Sequence, residues 1–285
     1  MRGFPNLITT VGMETLIGGG NWFTQSLRAS PLLPTAFGQV EYDHQRARIN
    51  WLLNHVDADE TALLKLLDNL AIETGLHGAK FILASAPHEH KLFRILRHAG
   101  YCVYGWEKFW EVDNARLPAQ IDSCYKWSGT IPADCHDLLK FQRKHLSAAV
   151  RSVTPLADEV LPNFILRSGE NINGYAIVHT FNNKLVVYPV MESSIDHPTG
   201  IIAFLLNKYF NDVPIRYITQ TTNHDWLERS LSEIAAPVTV RRELLVKYFA
   251  VAEKLPIGIL NHSAEGRHPD PVAPFLHSSK PQDNL

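Results

Sequence analysis

The sequence predicts an α/β protein made of two similar units in tandem, on three observations. A chain of 285 residues is long enough for two domains. A composition with 45% hydrophobic and 20% charged residues is typical of a globular protein. An order of helix, strand, helix, strand recurs at an offset of about 136 residues. A constant offset over four elements is hard to obtain by chance, so we expect two units that share a fold.

The first unit starts with a predicted hairpin and continues with alternating helices and strands. Alternation of apolar and polar residues predicts the strands, and apolar residues at helical spacing predict the helices. The predicted elements are, in chain order, strands 36–42 and 47–56, a helix at 60–75, a strand at 80–86, a helix at 88–99 and an aromatic-rich strand at 101–112.

The second unit repeats this order and adds a helix before its hairpin. Asn182 and Asn183 join the hairpin strands, and asparagine tolerates the positive backbone angles of a tight turn. The predicted elements are a strand at 125–127, a helix at 132–153, strands 174–180 and 184–190, a helix at 198–212, a strand at 214–220, a helix at 224–235 and a strand at 238–251.

These elements divide the chain into an abridged first domain, 1–115, a second domain, 116–254, and a tail, 255–285. Residues 113–122 form the predicted linker. The tail is rich in Pro, His and Ser and has no hydrophobic periodicity, so we expect it to be disordered.

Charge and cysteine content exclude several classes of protein. Twenty-seven basic residues against 29 acidic ones do not supply the positive surface that nucleic-acid binding needs. Three cysteines are too few for a disulfide framework and indicate reduced thiols. No apolar run has the length of a signal peptide or a membrane span. We therefore expect a cytoplasmic protein without nucleic-acid or membrane partners.

The order hairpin, helix, strand, helix, strand resembles the core of the GNAT acyltransferase superfamily. The segment 88–104, in which a helix ends at Gly100-Tyr101 before a strand, is similar to the closing helix of that family. The resemblance implies two α/β domains of the α+β type, each with a mixed, mostly antiparallel sheet flanked by helices. It also implies a splayed pair of parallel strands in which acyl-CoA lies, with its pyrophosphate at the start of the following helix.

The phosphate loop of the GNAT family is altered in both units. In the first unit, Asp57, Asp59 and Glu60 occupy the helix start, where carboxylates suit a helix N-terminus but repel phosphates. We expect no family-type CoA binding there. In the second unit, the amides of Thr199, Gly200 and Ile201 are the candidate phosphate ligands. The alternative is a capped core helix that begins at a proline.

The resemblance also gives candidate residues for catalysis and cofactor contact. Glu192 matches the position of a family general base, and its alternative role is that of a solvated loop residue. Asn223 matches a residue that lies beside the cofactor, although asparagine is also an ordinary helix N-cap. The tyrosine that serves the family as general acid is absent from both units. Leu96 occupies its position in the first unit, and the corresponding position in the second unit lies near Ser232.

The resemblance implies an acyl-CoA-dependent N-acyltransferase that moves an acetyl group to a small-molecule amine, with any activity in the second half. Acetyl-CoA or another acyl-CoA is the expected co-substrate, and no metal is expected. The alternative is a catalytically inactive GNAT-fold protein that serves as a ligand-binding or scaffold module. A homodimer stays open.

Two other sequence features carry less chemistry. His88 and His90 are two residues apart at a helix start and point to different sides, which disfavours a shared metal. Arg241 and Arg242 in the last strand are predicted to be surface charges.

Overall fold

The computed structural model describes residues 21–28, 34–43, 45–54, 60–118 and 124–249. The predicted tail at 255–285, most of the predicted acidic turn and part of the predicted linker lie outside the described residues. No helix in the described ranges combines the length and the hydrophobicity that crossing a membrane requires. The cytoplasmic location stays a prediction.

The described residues of the first half form five strands and two α-helices. The second helix begins at His90, whose ring accepts the Leu92 N–H, and it ends before Gly100, whose φ of 87° suits glycine. The elements are β1 (Asn21–Arg28), β2 (Pro34–Tyr42), β3 (Arg46–Asn54), α1 (Glu60–Leu76), β4 (Phe81–Pro87), α2 (Lys91–His98) and β5 (Cys102–Val112).

The second half repeats the order with additions at its start and end. Its hairpin turns at Asn182 and Asn183, whose φ values of 44° and 59° confirm the predicted tight turn. The elements are β6 (Tyr125–Gly129), α3 (Cys135–His145), α4 (Ala148–Arg151), β7 (Phe164–Ser168), β8 (Asn171–Phe181), β9 (Lys184–Met191), α5 (Pro198–Tyr209), β10 (Ile215–Thr221), α6 (Leu227–Ile234), β11 (Ala235–Pro237) and β12 (Arg242–Tyr248).

The prediction of one continuous helix over 132–153 is wrong. Leu146 has extended backbone angles, φ −94° and ψ 137°, which end α3. Ser147 then caps α4, because its side chain accepts the Val150 N–H. A serine inside an amphipathic pattern has thus started a second helix instead of continuing the first.

The described strands form one sheet in which the two halves exchange their last strands. The order across the sheet is β1-β2-β3-β4-β12-β5-β10-β9-β8-β7-β6, with β11 pairing to β5. Strand β12, from the second half, lies between β4 and β5 of the first half, and β5 pairs with β10 of the second half. Each half therefore completes the sheet of the other. The division at 115 and 116 stays a prediction.

Helices cover one face of this sheet, and a different layer covers the other. Core residues on β3, β4 and β12 pack against α1 and α2, and those on β5, β9 and β10 pack against α5 and α6. The register of β12 with β5 places both helix pairs on the same face. Helix α3 and the segment after α4 pack on the opposite face, against side chains such as Tyr175 and Leu83.

Candidate functional site

Each half contains a pair of parallel strands that pair at one end and separate at the other. Strands β3 and β4 pair only from Arg46–Arg48 to Phe81–Leu83. Strands β9 and β10 pair only from 184–187 to 215–218. The gap between β3 and β4 beyond these residues is called the first crevice, and the gap between β9 and β10 is called the second crevice.

A histidine bridges the second crevice. Nε2 of His224, which lies in the turn after β10, accepts the backbone N–H of Met191 at the end of β9 at 3.1 Å. The ring is 2% exposed. Because Nε2 accepts, Nδ1 carries the proton and donates to Oγ1 of Thr221 at 3.2 Å. His224 therefore joins the two strands across the gap.

The surroundings of His224 keep it in place and uncharged. Nε2 of Gln220 donates to the backbone oxygen of His224 at 3.0 Å, and Trp110 Nε1 donates to Gln220 Oε1 at 3.0 Å. Burial lowers the pKa of His224 to about 4. The hydrogen bond from Met191 acts in the opposite direction and raises the pKa, whereas the charge of His145 lowers it further. The bridge is therefore neutral at pH 7.

The predicted phosphate ligands share the first turn of α5, where their groups bind their own chain. The amides of Gly200 and Ile201 donate to the backbone oxygen of His197 at 3.1 and 3.4 Å. Oγ1 of Thr199 donates to the backbone oxygen of Ser230 on α6 at 3.3 Å. The helix begins at Pro198, and His197 before it makes no side-chain capping hydrogen bond. The phosphate-binding role of Thr199, Gly200 and Ile201 stays a prediction.

Glu192 lies at the end of β9 and is bound on several sides. Lys144 Nζ donates to Oε1 at 3.1 Å, and Asn173 Nδ2 donates to Oε2 at 3.0 Å. His145 Nε2 also lies 3.1 Å from Oε1. Burial would raise the pKa of Glu192, but the bonds from Asn173 and Lys144 outweigh it and lower the pKa below its usual value. A carboxylate held this way is a weaker base.

The other predicted contact, Asn223, lies in the turn Thr222–His224, and its side chain is outside what the structure describes. Within the described residues, the side-chain hydrogen bonds of Glu192 lead to α3 and Asn173 and none leads to α5. The structure thus keeps Thr199, Gly200 and Ile201 together and places Glu192 with different partners.

The first crevice has a β-bulge where the second has a regular strand. Gln39 pairs with Trp51 and Val40 pairs with Ile49, so Asn50 is the extra residue on β3. Asn50 is 4% exposed, and its Nδ2 lies 3.4 Å from Gln39 Oε1. Its Oδ1 is buried and has no hydrogen-bond partner among the described residues. Buried acceptors without partners are rare in folded proteins.

A cavity of about 570 Å³, called the chamber, lies on the sheet face opposite helices α1, α2, α5 and α6. Ile49 and Ala84 line it just beyond the paired end of the first crevice. Tyr188 and Thr221 line it just beyond the paired end of the second crevice. The chamber therefore joins the two crevices, and side chains from both halves form its walls.

The floor of the chamber carries a buried carboxylate and several hydroxyl groups. Glu107 on β5 is 8% exposed and pairs in register with Thr221 on β10. Its Oε1 lies 3.9 Å from Nε of Arg242 on the exchanged strand β12. Ser85, Thr222 and Tyr104 add hydroxyl groups to the lining. This arrangement can accept hydrogen bonds from a bound cation or neutral donor.

Arg242 corrects an expectation from the sequence. The structure leaves its side chain only 13% exposed, and its Nη2 donates to the backbone oxygen and to Oγ of Ser85, at 3.2 and 3.0 Å. Desolvation lowers the pKa of Arg242, and the negative charge of Glu107 acts in the opposite direction and raises it. Arg241 is exposed, as predicted. The exchange of β12 explains the difference, because it moves Arg242 from a sheet edge to the centre.

Comparison with known proteins supports the fold. No family model matches the sequence, and no curated protein matches it. A functionally unknown conserved protein from Staphylococcus epidermidis is similar in structure with 9% identity over 84% of this chain and 98% of that chain, at a TM-score of 0.57. The chain has a tandem GNAT-like fold. Each half contains a splayed pair of parallel strands. The first strand of the pair also closes a hairpin, and a helix connects it to the second strand.

Two solved structures with GNAT names are also similar to this chain. A GCN5-related N-acetyltransferase from Sphaerobacter thermophilus has 11% identity over 75% of this chain and 77% of that chain, at a TM-score of 0.49. A tandem GNAT protein from the clavulanic acid biosynthesis pathway has 13% identity over 80% and 83%, at a TM-score of 0.47.

Sequence reasoning missed Asn50, Glu107 and His224. The alternation of apolar and polar residues on β3 continues through Asn50 and is broken only by the apolar run 51–53, so an irregularity near Asn50 could have been inferred from that run. Glu107 is an acid inside a strand of buried aromatic residues, and such acids are rarely buried without a partner. For His224 the sequence offers no comparable indication, because the bridge depends on where β9 ends.

Proposed function

We propose that this tandem GNAT-like protein binds a small amine in the chamber between its halves. The observation that carries the proposal is the position of the chamber at the separated ends of both crevices, with Glu107 in its floor. Its volume lies within the range of about 300 to 1,000 Å³ that is usual for small-molecule sites.

The contacts of the second crevice do not suit acyl-CoA. An extended ligand would pair with the free edge of β9, and the Met191 N–H on that strand is already bound to His224. A phosphate would need amides at the start of α5, and those of Gly200 and Ile201 are bound to His197. The expectation of acyl transfer in the second half stays a prediction, and these contacts weigh against it.

An amine suits the floor of the chamber for electrostatic reasons. A carboxylate accepts up to about four hydrogen bonds, and Arg242 Nε lies beside one of the oxygens of Glu107. A bound ammonium would donate to this carboxylate and to neighbouring hydroxyl groups such as that of Ser85. Hydrogen bonds to charged groups are stronger than neutral ones by about a factor of two.

Isothermal titration calorimetry with hexylamine, hexanol and hexanoate tests the proposal. We expect saturable binding of hexylamine, weaker binding of hexanol and no binding of hexanoate. Glu107→Gln should weaken hexylamine binding by about tenfold or more, because a charged acceptor is lost. Glu111→Gln, on an exposed position of the same strand, is the matched control and should bind normally. Equal binding of amine and carboxylate would contradict the proposal.

A second candidate function is acyl transfer from a thioester in the first crevice, and Asn50 favours it. Its buried Oδ1 has no hydrogen-bond partner among the described residues, and β3 pairs in register with β4 only as far as Arg48. These groups would hold the amide-containing arm of an acyl thioester. The amine nitrogen would bond to the acyl carbon, the carbon–sulfur bond would break, and the thiol would leave with the proton of the amine.

The acidic residues that precede α1 in the sequence predict a difference between two thioester donors. Asp57 and Asp59 would repel the phosphates of CoA, so acetyl-pantetheine should be used at least as well as acetyl-CoA. Release of free thiol with hexylamine as acceptor measures the rate. Asn50→Ala should slow it, and His224→Gln, in the other crevice, should leave it unchanged. No thiol release from either donor would exclude this function.

A further inference from the structure

The segment from the end of α3 to the start of β7 forms an apolar wall of the chamber. Extended backbone at Leu146 and the cap at Ser147 turn the chain so that α4 lies over the sheet. The wall is supplied by the side chains of Leu146, Val150, Val153, Pro155 and Val160. Val153 also packs with Leu83 of β4, which fixes the wall to the first half.

The sheet opposite this wall adds further apolar side chains to the lining. They are those of Leu83 in the first half, Ile177 and Val190 in the second half, and Leu244 of the exchanged strand, while Glu41, Asp43, Arg46, Arg48 and His179 supply charged and polar lining in addition to Glu107. The chamber therefore has an apolar region, bounded by carbon atoms of the wall and of the sheet, beside its polar region. An amine of one or two carbons would leave most of the chamber's 570 Å³ unfilled.

We infer that the ligand of the chamber is an amine with an apolar chain or ring system, which lies between the α3–α4 segment and the sheet. This inference rests on the proposed function and adds the substrate class. The ammonium binds near Glu107, and the apolar part extends toward Val150. Such a ligand exchanges water for carbon contacts along its length, and this transfer is favourable for each methylene group that is buried.

The size of the effect is set by the transfer free energy of a methylene group. Burial of one methylene group strengthens binding by about fourfold. A series of n-alkylamines from ethylamine to octylamine, titrated into the full chain by calorimetry, should therefore show the dissociation constant falling by about fourfold per methylene. The dependence should level off once the chain fills the chamber.

Two variants test where the alkyl chain of the amine lies within the chamber. Val150→Trp fills space beside α4 and should weaken octylamine by about tenfold or more while changing butylamine by less than about twofold, because overpacking acts only on the longer chain. Ala149→Trp, at an exposed position of the same helix, is the matched control and should bind both amines normally. Circular dichroism of both variants verifies that they are folded.

The outcomes separate this inference from the proposed function. If no amine binds, the proposed function fails and the inference fails with it. If amines bind with affinities that do not depend on chain length, the proposed function stands and the inference is overturned. If chain-length dependence is the same in Val150→Trp and Ala149→Trp, the apolar part lies elsewhere and the inference is also overturned.

Discussion

The two crevices have the same strand arrangement and opposite interiors. In the second crevice, the buried ring of His224 joins β9 to β10 and satisfies the Met191 N–H. In the first crevice, buried Asn50 interrupts β3 and keeps an acceptor without a partner in the described part of the chain. A splayed sheet can therefore persist after its gap has been closed by the protein itself, which means that the fold alone does not indicate a working site.

The largest expected effect comes from removing the bridge. His224→Ala should lower the free energy of unfolding by roughly 4 kcal/mol, because it leaves a cavity and a buried N–H without a partner. His90→Ala removes a ring that accepts an N–H at an exposed helix start and should cost about 1 kcal/mol. Urea denaturation of both variants measures the difference. Equal costs would mean that the second crevice is not held by His224.

The pH dependence of stability sharpens the same comparison. Unfolded His224 takes up a proton near pH 6.5, whereas the folded ring does so only at about 4. This contribution to stability is therefore fully present above about pH 6.5 and is lost, up to about 3 kcal/mol, as the pH falls from about 6.5 to about 4. Burial also lowers the pKa of His145, which lies near His224 and pairs with Glu192.

The variant His224→Gln isolates the contribution of the bridge, because glutamine can accept the Met191 N–H without titrating. Denaturant unfolding at several pH values should show a flatter profile for the variant than for the natural protein. Parallel profiles would assign the pH dependence to other groups, such as Glu192 or His145.

Close packing should also differ between the halves. A Cβ on Gly174 would lie 2.7 Å from the backbone oxygen of Val190, which cannot move without disturbing β9. A Cβ on Gly38 would meet the ends of the Leu70 and Leu52 side chains at 2.7 and 2.9 Å, and these can turn away. Thermal unfolding should show a loss of about 2 kcal/mol for Gly174→Ala and about 1 kcal/mol for Gly38→Ala. The reverse order would contradict the described packing.

The smallest expected effect is at Asn50. Its Oδ1 is a buried acceptor without a partner among the described residues, so its removal relieves a desolvation cost that offsets the lost packing. Asn50→Ala should therefore change the free energy of unfolding by less than about 1 kcal/mol. A loss as large as that of His224→Ala would show that Asn50 stabilises the fold and is not kept for binding a ligand. Denaturant unfolding of the two variants side by side decides between these cases.

Local patterns predicted much of the fold. Alternation and helical spacing located both hairpins and the repeated helices to within a few residues, because each of these depends on neighbours along the chain. The Asn182-Asn183 turn was predicted for the same reason. Strands β1 and β7 were missed. The sequence of β1, NWFTQSLR, does not alternate strictly, and that of β7, FILRS, is five residues long and begins with three apolar residues in a row, so periodicity does not identify them.

Long-range contacts account for the features that the sequence did not predict. The exchange of β12 into the first half depends on pairing between strands more than 130 residues apart, such as Leu244 with Ser85, and no local pattern encodes it. Because of that exchange, Arg242 lies beside Glu107, largely shielded from solvent, and a chamber forms between the halves. The bridge of His224 likewise requires the end of β9 to meet the turn after β10.

Nitrogen-15 NMR of the His224 ring, with and without acetyl-CoA, tests most directly whether the second crevice is closed. The structure predicts that Nε2 is unprotonated and accepts a hydrogen bond at neutral pH, that the ring titrates at about 4, and that acetyl-CoA leaves its resonance unchanged. A protonated Nε2 at neutral pH, or a saturable shift on addition of acetyl-CoA, would contradict the closure of the second crevice.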